Sequence, residues 1–400
     1  MKFLPPFFNL NFFVLCLSSF LFFASFNMII PELPAYLTSL GGEDYKGLII
    51  SLFTLTAGLS RPFSGKLADK IGRIPVMVVG AAICFLVSLL YPIITSVAGF
   101  LFLRFVHGFS TGFTPTGTSA YVADIVPFNR RGEAMGIQSL FGSLGMAAGP
   151  ALGGYIASIW GIEPLFYTSA GFSILSILVI FRLKETVSQK EPMRMGLFKL
   201  NRHEIIEKRV LVPSLVLLLT VFSFGTVLTI IPDYSDYLGI KNKGLFFAVF
   251  TLSSLGIRII AGKTSDRYGR IPVMKVATLS MAISMVLIAF AQTKMMLLFG
   301  GVIFGASVGM NSPTISAWTI DLSLDAFRGR ALATMYIALE AGIGIGALVS
   351  GYVFANKAEN FPLVFSIAAC TSVLAFIYLF TLPKKQQYLV PADNESVAKD

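Results

Sequence analysis

The feature that most constrains this chain is an apolar run near 20 residues long, which recurs about twelve times between short polar connections. A helix needs ~20 such residues to cross the ~30 Å hydrocarbon core of a bilayer. In lipid, every backbone N–H and C=O has to be satisfied internally. The sequence has no alternating strand pattern of the barrel type, so helices are the economical solution. Composition agrees: 55% of the 400 residues are hydrophobic and 13% are charged, against about 25% charged in soluble domains. The expectation is an all-α membrane protein with twelve transmembrane helices, over about 12–30, 46–66, 74–94, 98–122, 133–158, 164–183, 210–231, 243–262, 271–291, 295–320, 330–355 and 361–382.

The first run follows Lys2 but is too long for a signal-peptide core and lacks a small-residue cleavage site, so it reads as a spanning helix. Lys and Arg concentrate in one set of loops, including Lys66, Lys70, Arg73, Arg130, Arg131 and the stretch 184–209. The other set holds only Lys46, Lys241, Lys243, Lys294 and Lys357. The rich side is read as cytoplasmic, which places both termini there, in the cell (inner) membrane. The net charge of +10 is spread over short loops and forms no patch for nucleic acid. Cys16, Cys84 and Cys370 lie singly inside apolar runs, which indicates neither a disulfide framework nor a metal site. No cofactor is implied.

A second regularity divides the chain. Gly65-Lys66-Leu67-Ala68-Asp69-Lys70-Ile71-Gly72-Arg73 recurs as Gly262 to Arg270, 197 positions later. The same offset relates Lys46-Gly47-Leu48 to Lys243-Gly244-Leu245, Arg61 to Arg258, Asp124 to Asp321 and Gly154-Tyr155 to Gly351-Tyr352. At a shifted offset, Pro31-Glu32 matches Pro232-Asp233. The reading is two six-helix halves in the same orientation, 1–183 and 210–382. They are joined by a cytoplasmic linker, 184–209, with an amphipathic piece near Leu197 to Ile206, and followed by a polar tail, 383–400. Parallel repeats about an axis along the membrane normal are one known transporter plan, with the substrate site between them near mid-membrane.

The stretch 65–73, in the form Gly-x-Leu-Ala-Asp-x-x-Gly-Arg, resembles the signature loop of the major facilitator superfamily. Its weaker copy at 262–270, Arg104-x-x-His107-Gly108, Asp124 before Arg131-Gly132, and Gly145-x-x-x-Gly149-Pro150-x-x-Gly153-Gly154 agree with that resemblance, as do the twelve spans and the central loop. It covers essentially the whole chain. The Gly145–Gly154 pattern is similar to the motif that marks the proton-driven antiporters exporting drugs and other solutes. In the family, the residue matching Asp69 sits near the cytoplasmic start of the eleventh helix. The residue matching Arg73 pairs with an acid at the end of the fourth, here Asp124. The resemblance thus implies a cytoplasmic gate of Gly65, Asp69, Gly72, Arg73, Asp124 and Arg131, with Asp266 and Arg270 in the second copy. It also implies that the glycine ridge meets the eighth helix and limits leak.

The residues add candidates of their own. Gly65 and Gly72 suit a helix end and a tight turn. Arg104, His107, Thr111, Thr114 and Thr118 recur at spacings of three and four, so one face of span 98–122 is polar and should line a cavity or meet a partner. The resemblance implicates that Arg in proton coupling, and the family usually has Gln where His107 stands. A histidine there could join a relay or fill a hydrogen-bonding gap. Glu340 lies ten residues into its span, one turn from Tyr336, where a buried carboxyl could carry a proton or bond another helix. Glu32 and Asp233 are either an external pair for protons or cations, or acidic caps after Pro. Asn27, Thr111, Thr114, Asn311, Thr314 and Trp318 are candidate cavity residues, with Ser25, Ser307 and the rings of Phe105, Phe109 and Phe113 nearby in sequence.

The function expected is secondary active transport: proton-coupled antiport exporting a small amphipathic or drug-like molecule by alternating access. The partners are protons, substrate and lipid, and the protein is expected to act as a monomer. A symporter or facilitator importing a sugar or metabolite is the alternative, and a non-transporting sensor or enzyme is more remote. No Ser/His/Asp set, metal cluster or phosphate-binding Gly-x-x-x-x-Gly-Lys-Ser/Thr loop is present, so the chain reads as no enzyme and no ATP-driven pump.

Overall fold

The computed structural model describes residues 9–127, 131–187, 190–192, 194, 206–324 and 328–382, with backbone alone at 131–133, 259, 263 and 328–329. Residues 197–205 of the amphipathic stretch expected near Leu197 to Ile206, the tail 383–400 and the side chain of Arg131 lie outside the described residues. All regular elements among the described residues are helical. They are α1 (Leu10–Ile29), α2 (Leu33–Ser39), α3 (Lys46–Ile71), α4 (Arg73–Leu90), α5 (Val97–Ile125), α6 (Arg131–Trp160), α7 (Ile162–Ile180), α8 (Leu211–Tyr237), α9 (Gly244–Tyr268), α10 (Arg270–Ala289), α11 (Lys294–Asp321), α12 (Arg328–Phe354) and α13 (Phe361–Thr381). Side-chain caps open several of them, with Asn9 accepting from the Phe12 N–H at 2.9 Å and Ser96 and Thr293 accepting at 3.2 Å.

Among the described residues, nine helical segments are long and apolar enough to cross a membrane, or ten when the bent pair within α9 counts as one span. Helices α3 and α5 fall outside that set. Their sequences explain it: Lys46, Arg61, Lys66, Asp69 and Lys70 interrupt α3, and Arg104, His107 and a series of Ser, Thr and Gly dilute α5. These two helices also supply much of the cavity wall described below.

The buried side chains gather into separate clusters that follow the repeat. Phe22, Tyr91, Phe100 and Phe166 lie in a cluster drawn almost wholly from α1–α7, and Phe246, Phe304 and Phe365 in one from α8–α13. Glycines set the close approaches, because two helices in lipid gain mainly from van der Waals contact. Gly149 on α6 meets the backbone of Ala24 on α1, and Gly346 on α12 meets that of Phe222 on α8. Gly108 on α5 meets Phe53 on α3, and Gly305 on α11 meets Phe250 on α9. The Gly108–Phe53 contact recurs 197 positions on, and Gly149 recurs as Gly346 at the same offset with its α1 partner Ala24 replaced by Phe222 on α8, so the duplication extends to packing.

The signature loop is tighter than the sequence suggested. Helix α3 runs through Gly65 to Ile71, and Gly72 alone, at φ 126°, separates it from α4. Gly269, at φ 90°, makes the same break between α9 and α10. Only glycine adopts such angles without a Cβ penalty. Glu185, at the start of the linker, caps α4 by accepting from the N–H groups of Arg73 at 3.0 Å and Ile74 at 3.1 Å. Lys70 pairs with Glu191 at 2.7 Å, and the Glu191 N–H donates to the Lys70 carbonyl at 2.8 Å. The hydrogen bond from Lys70 holds the Glu191 carboxyl below the usual carboxylate range, so this contact is complete above that range and is lost as the pH falls through the lowered value.

A Cβ at Gly149 would lie 2.6 Å from the Ala24 carbonyl, whereas one at Gly65 would meet nothing within 4 Å. Gly149→Ala is therefore expected to destabilise the purified protein by about 1–3 kcal/mol. Gly65→Ala, inside α3 with nothing for the methyl to meet, should unfold at or slightly above the wild-type temperature. Thermal unfolding in detergent measures both.

Candidate functional site

A cavity of about 680 Å³ lies between the helices of the two repeats. Phe23, Phe26, Phe53 and Phe224 make its walls aromatic, and Asn27, Thr54, Thr111, Thr116 and Ser119 add hydroxyl and amide groups. Its charged lining residues are Arg61, Arg104 and Glu340. It reaches Gly65, Ala123, Met135 and Leu332, toward the helix ends that carry the signature loops.

Arg61 on α3 and Glu340 on α12 form an ion pair at 2.6 Å, with side chains 14% and 8% exposed. The Arg61 guanidinium also stacks 4.5 Å from the Tyr336 ring centroid, one helical turn before Glu340. The sequence singled out Glu340 and missed its partner. The signal was available, since Arg61 is one of the duplicated positions and a cation in a span needs a counter-charge.

At the opposite end the helices of the two repeats close on each other. Lys46 on α3 pairs with Asp233 on α8 at 2.5 Å, and Lys243, just before α9, pairs with Glu32 at 3.5 Å and Asp236 at 2.9 Å. Burial opposes the charge on Lys243, but Glu32 and Asp236 outweigh it and raise its pKa above that of an ordinary lysine, so it stays cationic at neutral pH. Gly47 packs on the backbone of Ala347, Leu348 and Gly351, and Gly244 packs on Pro150 and Ala151. Asn242 donates to the Ala151 carbonyl at 3.3 Å, and Asn356 to that of Glu43 at 3.0 Å. Glu32 and Asp233 are thus bound to lysines of the opposite repeat. The sequence reading placed Lys46 and Lys243 in loops and at the head of matching triplets but did not anticipate these pairings.

The family expectation set the glycine ridge against the eighth span. Here Gly145, Gly149 and Gly153 pack on α1, through Phe20, Ala24 and Met28. Pro150 and Gly154 are the residues that touch Asn242 and Gly244 at the start of α9. The signature loops form matching clusters: Arg73 binds Asp69 and lies 3.1 Å from Asp124, while Arg270 binds Asp266 and lies 2.8 Å from Asp321. Among the described residues neither cluster crosses between the repeats.

The polar face of α5 divides. Arg104 donates to the Ile49 carbonyl at 2.9 Å, stacks 4.6 Å from the Phe53 ring and lines the cavity with Thr111. His107 lies behind it, fully buried, with Nδ1 3.2 Å from the Tyr91 hydroxyl and Nε2 3.3 Å from Cys84 Sγ. Thr114 turns to α4, donating to the Met77 carbonyl at 3.0 Å. Asn27 lines the cavity, but Asn311, Thr314 and Trp318 do not. They are buried among α8–α13, where Asn311 donates to Thr220 at 2.8 Å. Ser25 bonds Ser169 on α7, and Phe105, Phe109 and Phe113 are likewise absent from the wall. The 3.6-residue spacing identifies a stripe but not which neighbour it faces.

The sequence model of the Major Facilitator Superfamily matches residues 15–257 and 213–398. The chain belongs to this superfamily. It is a multi-pass membrane transporter and not an enzyme, and its all-helical architecture is the major facilitator fold. It is 28% identical over 380 residues to the multi-drug resistance efflux pump PmrA of Streptococcus pneumoniae, covering 91% of this chain and 93% of that one. It is 29% identical over 385 residues to the multidrug resistance protein MdtG of Serratia proteamaculans, covering 92% of each. Among solved structures, the human organic anion transporter MFSD10 superposes with a TM-score of 0.73 at 20% identity, over 94% of this chain and 100% of that one. A D-xylose-proton symporter does so at 0.77 and 16%, over 94% and 98%.

Removing one partner of a buried pair strands the other charge, at a cost of about 3–5 kcal/mol, whereas replacing both with apolar groups is far milder. Glu340→Leu is therefore expected to lower the stability of this transporter by about that much, and Arg61→Met with Glu340→Leu to recover most of it. Unfolding of the two variants beside wild type gives the comparison.

Proposed function

We propose that the chain is a proton-coupled antiporter that exports a small amphipathic, drug-like molecule by rocking of residues 1–183 against 210–382. All twelve long helices cross the cell membrane, both termini are cytoplasmic and the protein works as a monomer. The observation that carries the reading is the Arg61–Glu340 pair, which ties the two repeats together on the cavity wall. While Glu340 is ionised, Arg61 holds it and the repeats stay docked along α3 and α12. A proton on Glu340 removes the charge Arg61 needs and frees that seam to move. Arg104 keeps the cavity positive beside it, and His107 with Tyr91 fixes the Arg104 side chain. The aromatic wall suits an apolar body with a few polar groups. The names of PmrA and MdtG, efflux and multidrug resistance, fit this reading.

With the Lys- and Arg-rich loops in the cytoplasm, the cavity opens inward and the lysine–acid pairs seal the outer side. Pro150 and Gly154 belong to that seal, a place where an antiporter motif limits leak. The Asp69–Arg73–Asp124 cluster is the cytoplasmic latch in its released state, and it meets the opposite half when the cavity faces outward.

Proteoliposomes with an imposed pH gradient test the coupling: export should follow the gradient in wild type and become indifferent to it in Glu340→Gln. Inward accumulation driven by inward proton flow, or unchanged coupling in the variant, would overturn the proposal. Asp69→Asn is expected to impair transport more than Asp266→Asn, since the linker residues Glu185 and Glu191 dock on the first copy. Breaking the outer seal with Lys46→Ala and Lys243→Ala should expose a cysteine placed at Asn27, in a cysteine-free background, to an impermeant maleimide added from outside.

A further inference from the structure

The repeat sets Arg258 in correspondence with Arg61, and Ser143 with Glu340, both at an offset of 197. The two seams between the repeats are built alike. On one, Arg61 reaches from α3 to Glu340 on α12 at 2.6 Å. On the other, Arg258 reaches from α9 to α6 in the same manner and finds hydroxyls, Ser143 at 3.1 Å and Ser139 at 3.5 Å. Among the described residues no carboxylate pairs with Arg258, and its Nε is sealed from solvent without a hydrogen-bond partner. Ser143 is 8% exposed.

This arrangement leaves a charge unbalanced. Arg258 falls within the expected span 243–262, where an arginine is costly without a counter-charge, and serine hydroxyls supply no opposite charge. A guanidinium presents a planar fork of donors that matches a carboxylate or phosphate through two parallel hydrogen bonds. On the Arg61 seam the chain furnishes that anion itself. On the Arg258 seam a small serine stands where the carboxylate would be.

We propose that Arg258, Ser139 and Ser143 form an anion seat at the α6–α9 seam, which takes a carboxylate- or phosphate-type group in the place that Glu340 fills on the opposite seam. The group comes either from a soluble or transported molecule or from a lipid headgroup, and the chemistry of the seat is the same for both. The seat does not depend on proton coupling.

The test uses the purified full-length chain and thermal unfolding. In detergent, sodium benzoate and inorganic phosphate are titrated at constant ionic strength. In nanodiscs, membranes with and without phosphatidylglycerol are compared. A saturable rise in Tm with benzoate or phosphate supports a soluble anion, and a rise with phosphatidylglycerol alone supports a lipid. In either case Arg258→Gln should weaken the response at least about tenfold, the loss expected for a charge-assisted hydrogen-bonded pair. Ser143→Asp fills the seat from within and keeps Arg258 paired, so it should unfold at a higher temperature and respond to neither arm. Equal responses in wild type and Ser143→Asp, or no response in wild type in both arms, would overturn the proposal. No gradient enters the measurement, so its failure leaves the proton-coupling reading standing, and failure of that reading leaves the seat standing.

Discussion

Everything distinctive in this transporter follows from the cost of charge where water is scarce. A cation inside a bilayer bundle needs a counter-charge, an aromatic face or a carbonyl. The chain meets that need across the gap between its repeats. Arg61 takes Glu340, Lys46 takes Asp233 and Lys243 takes Glu32, each from the other repeat. The ion pairs therefore do more than satisfy charge, because they decide which faces of the two repeats lie together.

The glycine contacts complement those pairs. Within a repeat, Gly149 on Ala24 and Gly108 on Phe53 allow close backbone approach and no room for adjustment. Between repeats, such contacts gather at the sealed end, around Gly47 and Gly244, while larger groups line the open cavity. Packing inside each repeat thus rests on close glycine contacts, and the contact between the repeats rests largely on charge, a division that suits the proposed rocking. The linker adds an asymmetry by fastening to the first signature loop through Glu185 and Glu191.

Duplication also explains why the two seams differ so usefully. A carboxylate at 340 and a serine at 143 are the same structural position with different chemistry. One seam carries a titratable pair and the other a fixed cation. A duplicated scaffold can acquire such specialisation by one substitution, since the surrounding helix packing is already shared.

The sequence by itself determined the helical membrane class, the internal repeat, the superfamily and the turn at Gly72, because length, hydropathy and glycine placement are local properties of the chain. It also identified Glu340, since a lone carboxylate in an apolar run is conspicuous without coordinates. Only the tertiary structure decided the partners. Arg61, Lys46 and Lys243 were visible as repeat positions, but which acid each one meets depends on how the helices of one repeat dock on the other. For the same reason α5 could be read as polar on one face, yet only packing separated Arg104 and Thr111 on the cavity wall from Thr114 against α4. Asn311, Thr314 and Trp318 turned away from the cavity on the same ground. Helical periodicity fixes which residues share a face, and the neighbour that face meets is a property of the assembled bundle.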